Sequence, residues 1–65
     1  MRTIRRCTLR DGLQIKLLER ESKPRFVVTT ALNKAAGFHP VGNDKDHAIR
    51  VFERHVERSR ASAAA

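Results

Sequence analysis

The sequence predicts an α+β domain in which a three-stranded antiparallel meander precedes one C-terminal helix packed on one face of the sheet (β-β-β-α). Three observations predict this architecture. Three segments are rich in strand-forming residues, the Asp11-Gly12 pair is typical of a hairpin turn, and apolar residues recur at helical spacing in the last third of the chain. We assign residues 1–60 to a single α+β domain and residues 61–65 to a disordered Ala-rich tail.

The first two strands are predicted over residues 3–9 and 13–18, joined by a three-residue loop. A two-residue loop would mix charged and apolar side chains on one face of the hairpin. A type I turn followed by Gly12 in the left-handed bulge position instead pairs Cys7 with Ile15 and separates the two kinds of side chain. The outward face of the hairpin then carries Arg6, Thr8, Gln14, Lys16 and Leu18.

The third strand is predicted over residues 25–32, after a polar break at residues 19–24. Pairing Leu17 with Val28 continues the buried face of the hairpin across this strand. The same register places Val27 opposite Leu18 on the outward face. The third strand then forms an edge of the sheet.

Residues 33–43 are predicted to form a loop because they contain Gly37, Pro40 and Gly42. For residues 31–36, a helical turn and a loop both remain open. The helix is predicted to begin after an N-cap at Asn43 or Asp44 and to end near Arg60. Its apolar stripe consists of Ala48, Ile49, Phe52, Val56 and Ser59.

The net charge of +7 arises from 14 Lys and Arg against seven Asp and Glu. Eight of the basic and three of the acidic residues lie in residues 1–25, so the positive charge is concentrated there. Such a balance attracts polyanions, which makes nucleic acid or an acidic protein the expected partner. The single Cys7 excludes an internal disulfide and favours a reducing compartment, so we expect a cytoplasmic protein with no membrane span.

No set of residues has the pattern of an active site or a metal centre. His47 and His55 would lie about 12 Å apart on the helix, which is too far for one metal ion, and His39 is expected in the loop before Pro40. Cys7 is expected to face the core as a small hydrophobic residue. The three glycines do not form a phosphate-binding loop. We therefore expect no enzymatic activity, no cofactor and no small-molecule substrate.

The outward face of the hairpin is the strongest functional candidate. We expect Arg6, Arg10, Lys16 and Arg25 to contact phosphates, because guanidinium and ammonium groups next to hydroxyl and amide side chains suit nucleic acid. The predicted face has no aromatic residue for stacking on bases, so duplex DNA or structured RNA is favoured over single strands. The alternative is a solvated face that keeps a small protein in solution.

A second functional hypothesis is a protein-interaction module or small inhibitor that acts as a homodimer. The predicted third-strand edge has no charge within residues 26–30, and such an edge tends to pair with another chain. Leu18, Val27 and Thr29 would form the interface. Dimer formation would also bury apolar surface that a chain of 65 residues cannot bury alone.

In topology, the predicted chain resembles two families of DNA-binding domains. The shared features are three strands followed by a helix, arginines on the sheet, and the Ala48-Ile49-x-x-Phe52 stripe after an acidic cap. In these features the chain is similar to the plant ethylene-response-factor domain and to the arm-binding domain of tyrosine recombinases. The resemblance covers residues 3–58 and implies a sheet that enters the major groove. This chain departs from both families in lacking Trp and Tyr and in its longer connection from the last strand to the helix.

Overall fold

The computed structural model describes the backbone of residues 1–64 and the side chains of residues 1–61. It shows an α+β fold with one antiparallel sheet and one C-terminal helix. The elements in chain order are β1 (Arg2–Thr8), β2 (Gln14–Glu19), β3 (Phe26–Leu32), β4 (Ala35–Gly42) and α1 (Lys45–Ala64). The strands lie in the order β1-β2-β3-β4, so each pairs with its neighbour in the chain. No helix in this part of the chain is long and apolar enough to cross a membrane.

The sheet has four strands, so the prediction of three was wrong. The region predicted as a loop forms β4, which pairs with β3 along its whole length. Residues 31–36 form the end of β3, a tight turn and the start of β4, because Leu32 pairs with Ala35 and Asn33 between them has a φ of 54°. Asparagine tolerates this left-handed conformation better than most residues. The fourth strand also departs from the three-stranded topology on which the resemblance to the two DNA-binding families was based.

The first hairpin has the predicted three-residue loop. Cys7 pairs with Ile15, and Leu9 donates its N–H to the carbonyl of Leu13 at 2.9 Å. Gly12 has a φ of 91° and donates its N–H to the Leu9 carbonyl at 3.0 Å, which closes the turn before the bulge. The Asp11 carboxylate accepts a 3.0 Å hydrogen bond from the Leu13 N–H.

The register between β2 and β3 is also as predicted. Leu17 pairs with Val28 and Leu18 pairs with Val27. In β1 the register shifts between Thr3 and Arg5, so the intervening Ile4 is a bulge residue that packs against the core. These pairings give the sheet one helix-covered face and one face without a helix, which we call the outer face.

The helix begins where Asp44 caps it. The Asp44 carboxylate accepts a 3.0 Å hydrogen bond from the Asp46 N–H, as an N-cap side chain does. Asn43 has a different role, because its side-chain oxygen accepts the N–H of Arg25 at 2.9 Å. The helix continues beyond the predicted end at Arg60 to Ala64, consistent with the high helix propensity of alanine. Ala65 lies outside the described residues, and the domain boundary stays a prediction.

The core lies between the helix and the inner face of the sheet. The predicted helix stripe is confirmed, because Ala48, Phe52 and Val56 are buried there and Ile49 packs beside them. They contact a set of buried sheet residues, namely Ile15, Leu17, Phe26 and Val28. Cys7 is half-buried against the same cluster.

The edges of the sheet are β1 and β4, so the prediction that the third strand forms an edge was wrong. β1 carries Arg2, Arg5 and Arg6 together with the bulge at Ile4. β4 contains Pro40, which lacks a backbone N–H. Charges, bulges and prolines on edge strands all hinder pairing with another chain.

Candidate functional site

A row of four side chains crosses the outer face, one from each strand. Arg6 pairs with Lys16, Lys16 with Thr29, and Thr29 with Phe38. Paired residues in a sheet project from the same face, and the neighbouring residues Leu17 and Val28 point to the helix. The row therefore places a guanidinium, an ammonium, a hydroxyl and an aromatic ring side by side on the face without a helix.

Phe38 is a site residue that was not predicted from the sequence. Its side chain is 53% exposed, although an aromatic side chain usually buries a large area on folding. The prediction that this face has no aromatic residue was wrong, because β4 was predicted to be a loop. Phe38-His39-Pro40-Val41 has no alternation of polar and apolar residues, and Gly37 and Pro40 are unfavourable in strands, so the local sequence provided no signal for β4.

Arg20 lies beside Phe38. Its guanidinium carbon is 5.7 Å from the centroid of the phenyl ring, within the range of a cation–π contact. The Arg20 Nε also donates a 2.7 Å hydrogen bond to the Pro24 carbonyl, which holds the side chain in this position. Arg20 thus adds a positive charge to the outer face, although it lies in the polar break predicted between the second and third strands.

A shallow depression of about 340 Å³ adjoins Phe38 on the outer face. Gln14, Ala31 and Ala36 form the row next to Phe38, on the side toward the β1–β2 turn. Arg20 approaches from the opposite end of the sheet, so Phe38 has a cation on one side and the depression on the other. The complete lining is Gln14, Lys16, Thr29, Thr30, Ala31, Ala36, Gly37 and Phe38.

The four basic residues predicted to contact phosphate are only partly brought together. Arg6 and Lys16 are neighbours on the outer face, and neither has an ion-pair partner among the side chains of residues 1–61. Arg10 lies at the β1–β2 turn and Arg25 near the opposite end of the sheet, about 20 Å away by the strand rise. Arg25 also forms an ion pair at 3.3 Å with Glu19, whose other oxygen is 2.9 Å from Arg2.

The predicted interface of Leu18, Val27 and Thr29 does not form an accessible edge. Val27 is 0% exposed although it lies on the outer face, because Leu18 and Pro40 flank it on the adjacent strands. Leu18 and Thr29 are half-buried. These three residues lie within the sheet, so they lack the free backbone groups that edge pairing requires.

Two histidines meet on the other side of β4. His39 belongs to this strand, not to a loop as predicted, and its ring centroid lies 5.3 Å from that of His55 on the helix. Burial lowers the pKa of His55 below its ordinary value of 6.5, and the nearby His39 and Arg58 lower it further. The pair is a packing contact between strand and helix that favours neutral His55.

The described part of the chain contains no group of three or more His, Cys, Asp or Glu residues that could hold a metal ion. Comparison with known proteins adds nothing further about the site. No protein family, no curated protein and no solved structure matches this chain.

Proposed function

We propose that this chain is a small non-enzymatic module that binds nucleic acid through the outer face of its sheet. The observation that carries the proposal is the row Arg6, Lys16, Thr29 and Phe38, which combines two cations, a hydrogen-bonding group and an exposed ring on one surface. Cations bind phosphates, hydroxyl groups bind phosphates or base edges, and rings stack on bases.

The distribution of charge supports this proposal. The chain carries +7 in total, and such a charge attracts phosphate backbones over several ångströms at moderate salt. Glu19 partly neutralises Arg2 and Arg25 at one end of the sheet, whereas Arg6 and Lys16 remain available at its middle. We place the phosphate contacts there, and Arg20 adds a positive charge beside Phe38. The unpaired thiol of Cys7 suits a reducing compartment such as the cytoplasm.

The proposal is tested by fluorescence anisotropy with labelled DNA and RNA over a range of salt concentrations. We expect an affinity that falls steeply with salt, and a shallower log–log slope when Arg6 and Lys16 are both replaced by alanine. Each lost phosphate contact should reduce the slope by about 0.7 to 0.9. Absence of binding at low salt would refute the proposal.

A matched control variant is available on the helix. Arg50 and Arg54 are exposed on the side away from the sheet, so replacing both by alanine removes the same charge from a different surface. We expect the helix variant to retain most of the affinity and the slope. Equal losses in the two double variants would show that net charge, and not the outer face, determines binding.

A second candidate function is contact with another protein, either a second copy or an acidic partner. The exposure of Phe38 favours it, since an exposed ring beside Pro40 also suits a protein interface. Sedimentation analysis distinguishes this candidate. A dimer that dissociates when Phe38→Glu is introduced would support it, and a wild-type monomer throughout the concentration range would exclude the homodimer.

A further inference from the structure

Two features of the outer face bear on which form of nucleic acid it binds. The first is its width. Four strands spaced about 4.8 Å apart place β1 and β4 about 14 Å from one another. The major groove of B-DNA is about 12 Å wide and accepts a helix or a two-stranded ribbon. A four-stranded face therefore does not enter the groove lying flat, as the predicted three-stranded sheet was expected to do.

The second feature is the space beside Phe38. Ala31 and Ala36 have small side chains on the outer face, so the depression lies open next to the ring. Arg20 holds the other side of the ring through the cation–π contact. An aromatic ring next to an open depression is suited to a flat heterocycle, and in a duplex each base is already stacked between its neighbours.

We infer that the outer face binds single-stranded nucleic acid by stacking one unpaired base on Phe38. This inference rests on the proposed function and specifies its ligand. Lys16 lines the same depression as Phe38, so its ammonium lies near the phosphates that flank a base bound there. Arg6, next to Lys16 in the row, continues the positive track toward β1.

The amide of Gln14 is placed to contact the edge of the stacked base. Gln14 is exposed and lines the depression, and its side chain offers both hydrogen-bond donors and an acceptor. A single amide of this kind distinguishes bases only weakly. Stacking and phosphate contacts then provide most of the affinity, with little dependence on sequence.

The test compares single-stranded DNA, single-stranded RNA and duplex DNA of one sequence by anisotropy at fixed salt. We expect both single strands to bind at least about tenfold more tightly than the duplex. Replacing Phe38→Leu keeps an apolar side chain but removes the ring, and should weaken single-strand binding about 5- to 150-fold. Tighter binding of RNA than of DNA would add recognition of the 2′-hydroxyl, and equal binding would limit recognition to base and phosphate.

A direct readout of stacking is available because the chain contains no Trp. The variant Phe38→Trp retains an aromatic ring and introduces one fluorophore at the proposed contact. We expect it to bind single strands at least as tightly as the wild type, with a fluorescence change on binding that duplex DNA does not produce. The exposure of Phe38 makes both variants compatible with the fold, which circular dichroism checks.

The outcomes separate this inference from the proposed function. If the wild type binds neither single strands nor duplex at low salt, the proposed function itself is wrong. If duplex binds as tightly as single strands, or if Phe38→Leu binds single strands like the wild type, nucleic-acid binding stands and the stacking inference is overturned.

Discussion

Replacing Gly37 with alanine should destabilise the protein, although the same change at many strand positions would stabilise it. Gly37 lies in β4 opposite Thr30 on β3. A Cβ at this position would be 2.5 Å from the Thr30 hydroxyl oxygen and 3.0 Å from the His39 Nε2. Both distances are shorter than ordinary van der Waals contacts. Thr30 is β-branched and therefore stiff at χ1, so it does not move aside freely.

Two opposing effects determine the magnitude of this change. Losing a glycine reduces the conformational entropy of the unfolded chain and stabilises the folded state by about 0.4–1 kcal/mol. Overpacking of a well-packed site costs about 1–3 kcal/mol. We therefore expect Gly37→Ala to lower the free energy of unfolding by about 1–2 kcal/mol. For a domain of this size, each kcal/mol corresponds to a Tm lower by about 4–8 °C.

A double-mutant cycle measured by urea denaturation tests the proposed cause. Thr30→Ala removes the hydroxyl that the new methyl group would meet, so the double variant should be more stable than the sum of the single effects by about 1 kcal/mol. A Gly37→Ala variant as stable as the wild type, or a cycle with no coupling, would refute this account of the close approach between β3 and β4.

Three further predictions concern the helix cap, the histidine pair and the charged end of the sheet. Asp44→Ala should lower the free energy of unfolding by about 1 kcal/mol in urea denaturation. Asp44→Ser should keep most of the wild-type stability, because a hydroxyl can accept the hydrogen bond from the Asp46 N–H as the carboxylate does. Because the pKa of His55 is lowered in the folded state, the unfolded chain binds a proton at this residue more readily than the folded chain does. The free energy of unfolding should therefore decrease as the pH falls through 6.5 and level off below the folded pKa. His55→Gln should flatten this dependence in denaturation curves measured between about pH 5 and 8. Glu19→Gln should release Arg2 and Arg25 and strengthen nucleic-acid binding in low salt, and an unchanged affinity would show that this end of the sheet lies outside the contact.

The first three strands could be predicted from the sequence because local signals determine them. Gly12 supplies the left-handed conformation of the loop, and the alternation of charged and apolar residues then allows one register for Cys7 and Ile15. The same register placed Arg6 and Lys16 together, so the basic half of the candidate site could also be predicted.

The aromatic half of the site could not be predicted because it depends on β4. Ala35, Ala36 and Gly37 have low strand propensity, and Pro40 lacks a backbone donor. These residues form a strand because β3 presents a complete row of backbone groups beside them, which is a tertiary effect and not a local preference. Phe38 acquires its position on the outer face only through that pairing.

The strand order has a consequence for how the chain folds. Because each strand pairs only with the strand before or after it in the chain, short loops close every pairing, and the contact order of the sheet is low. Chains with low contact order fold quickly, since little loop-closure entropy is lost before contacts form. The helix covers the inner face of the sheet, so the apolar residues of both elements leave water only when the helix docks.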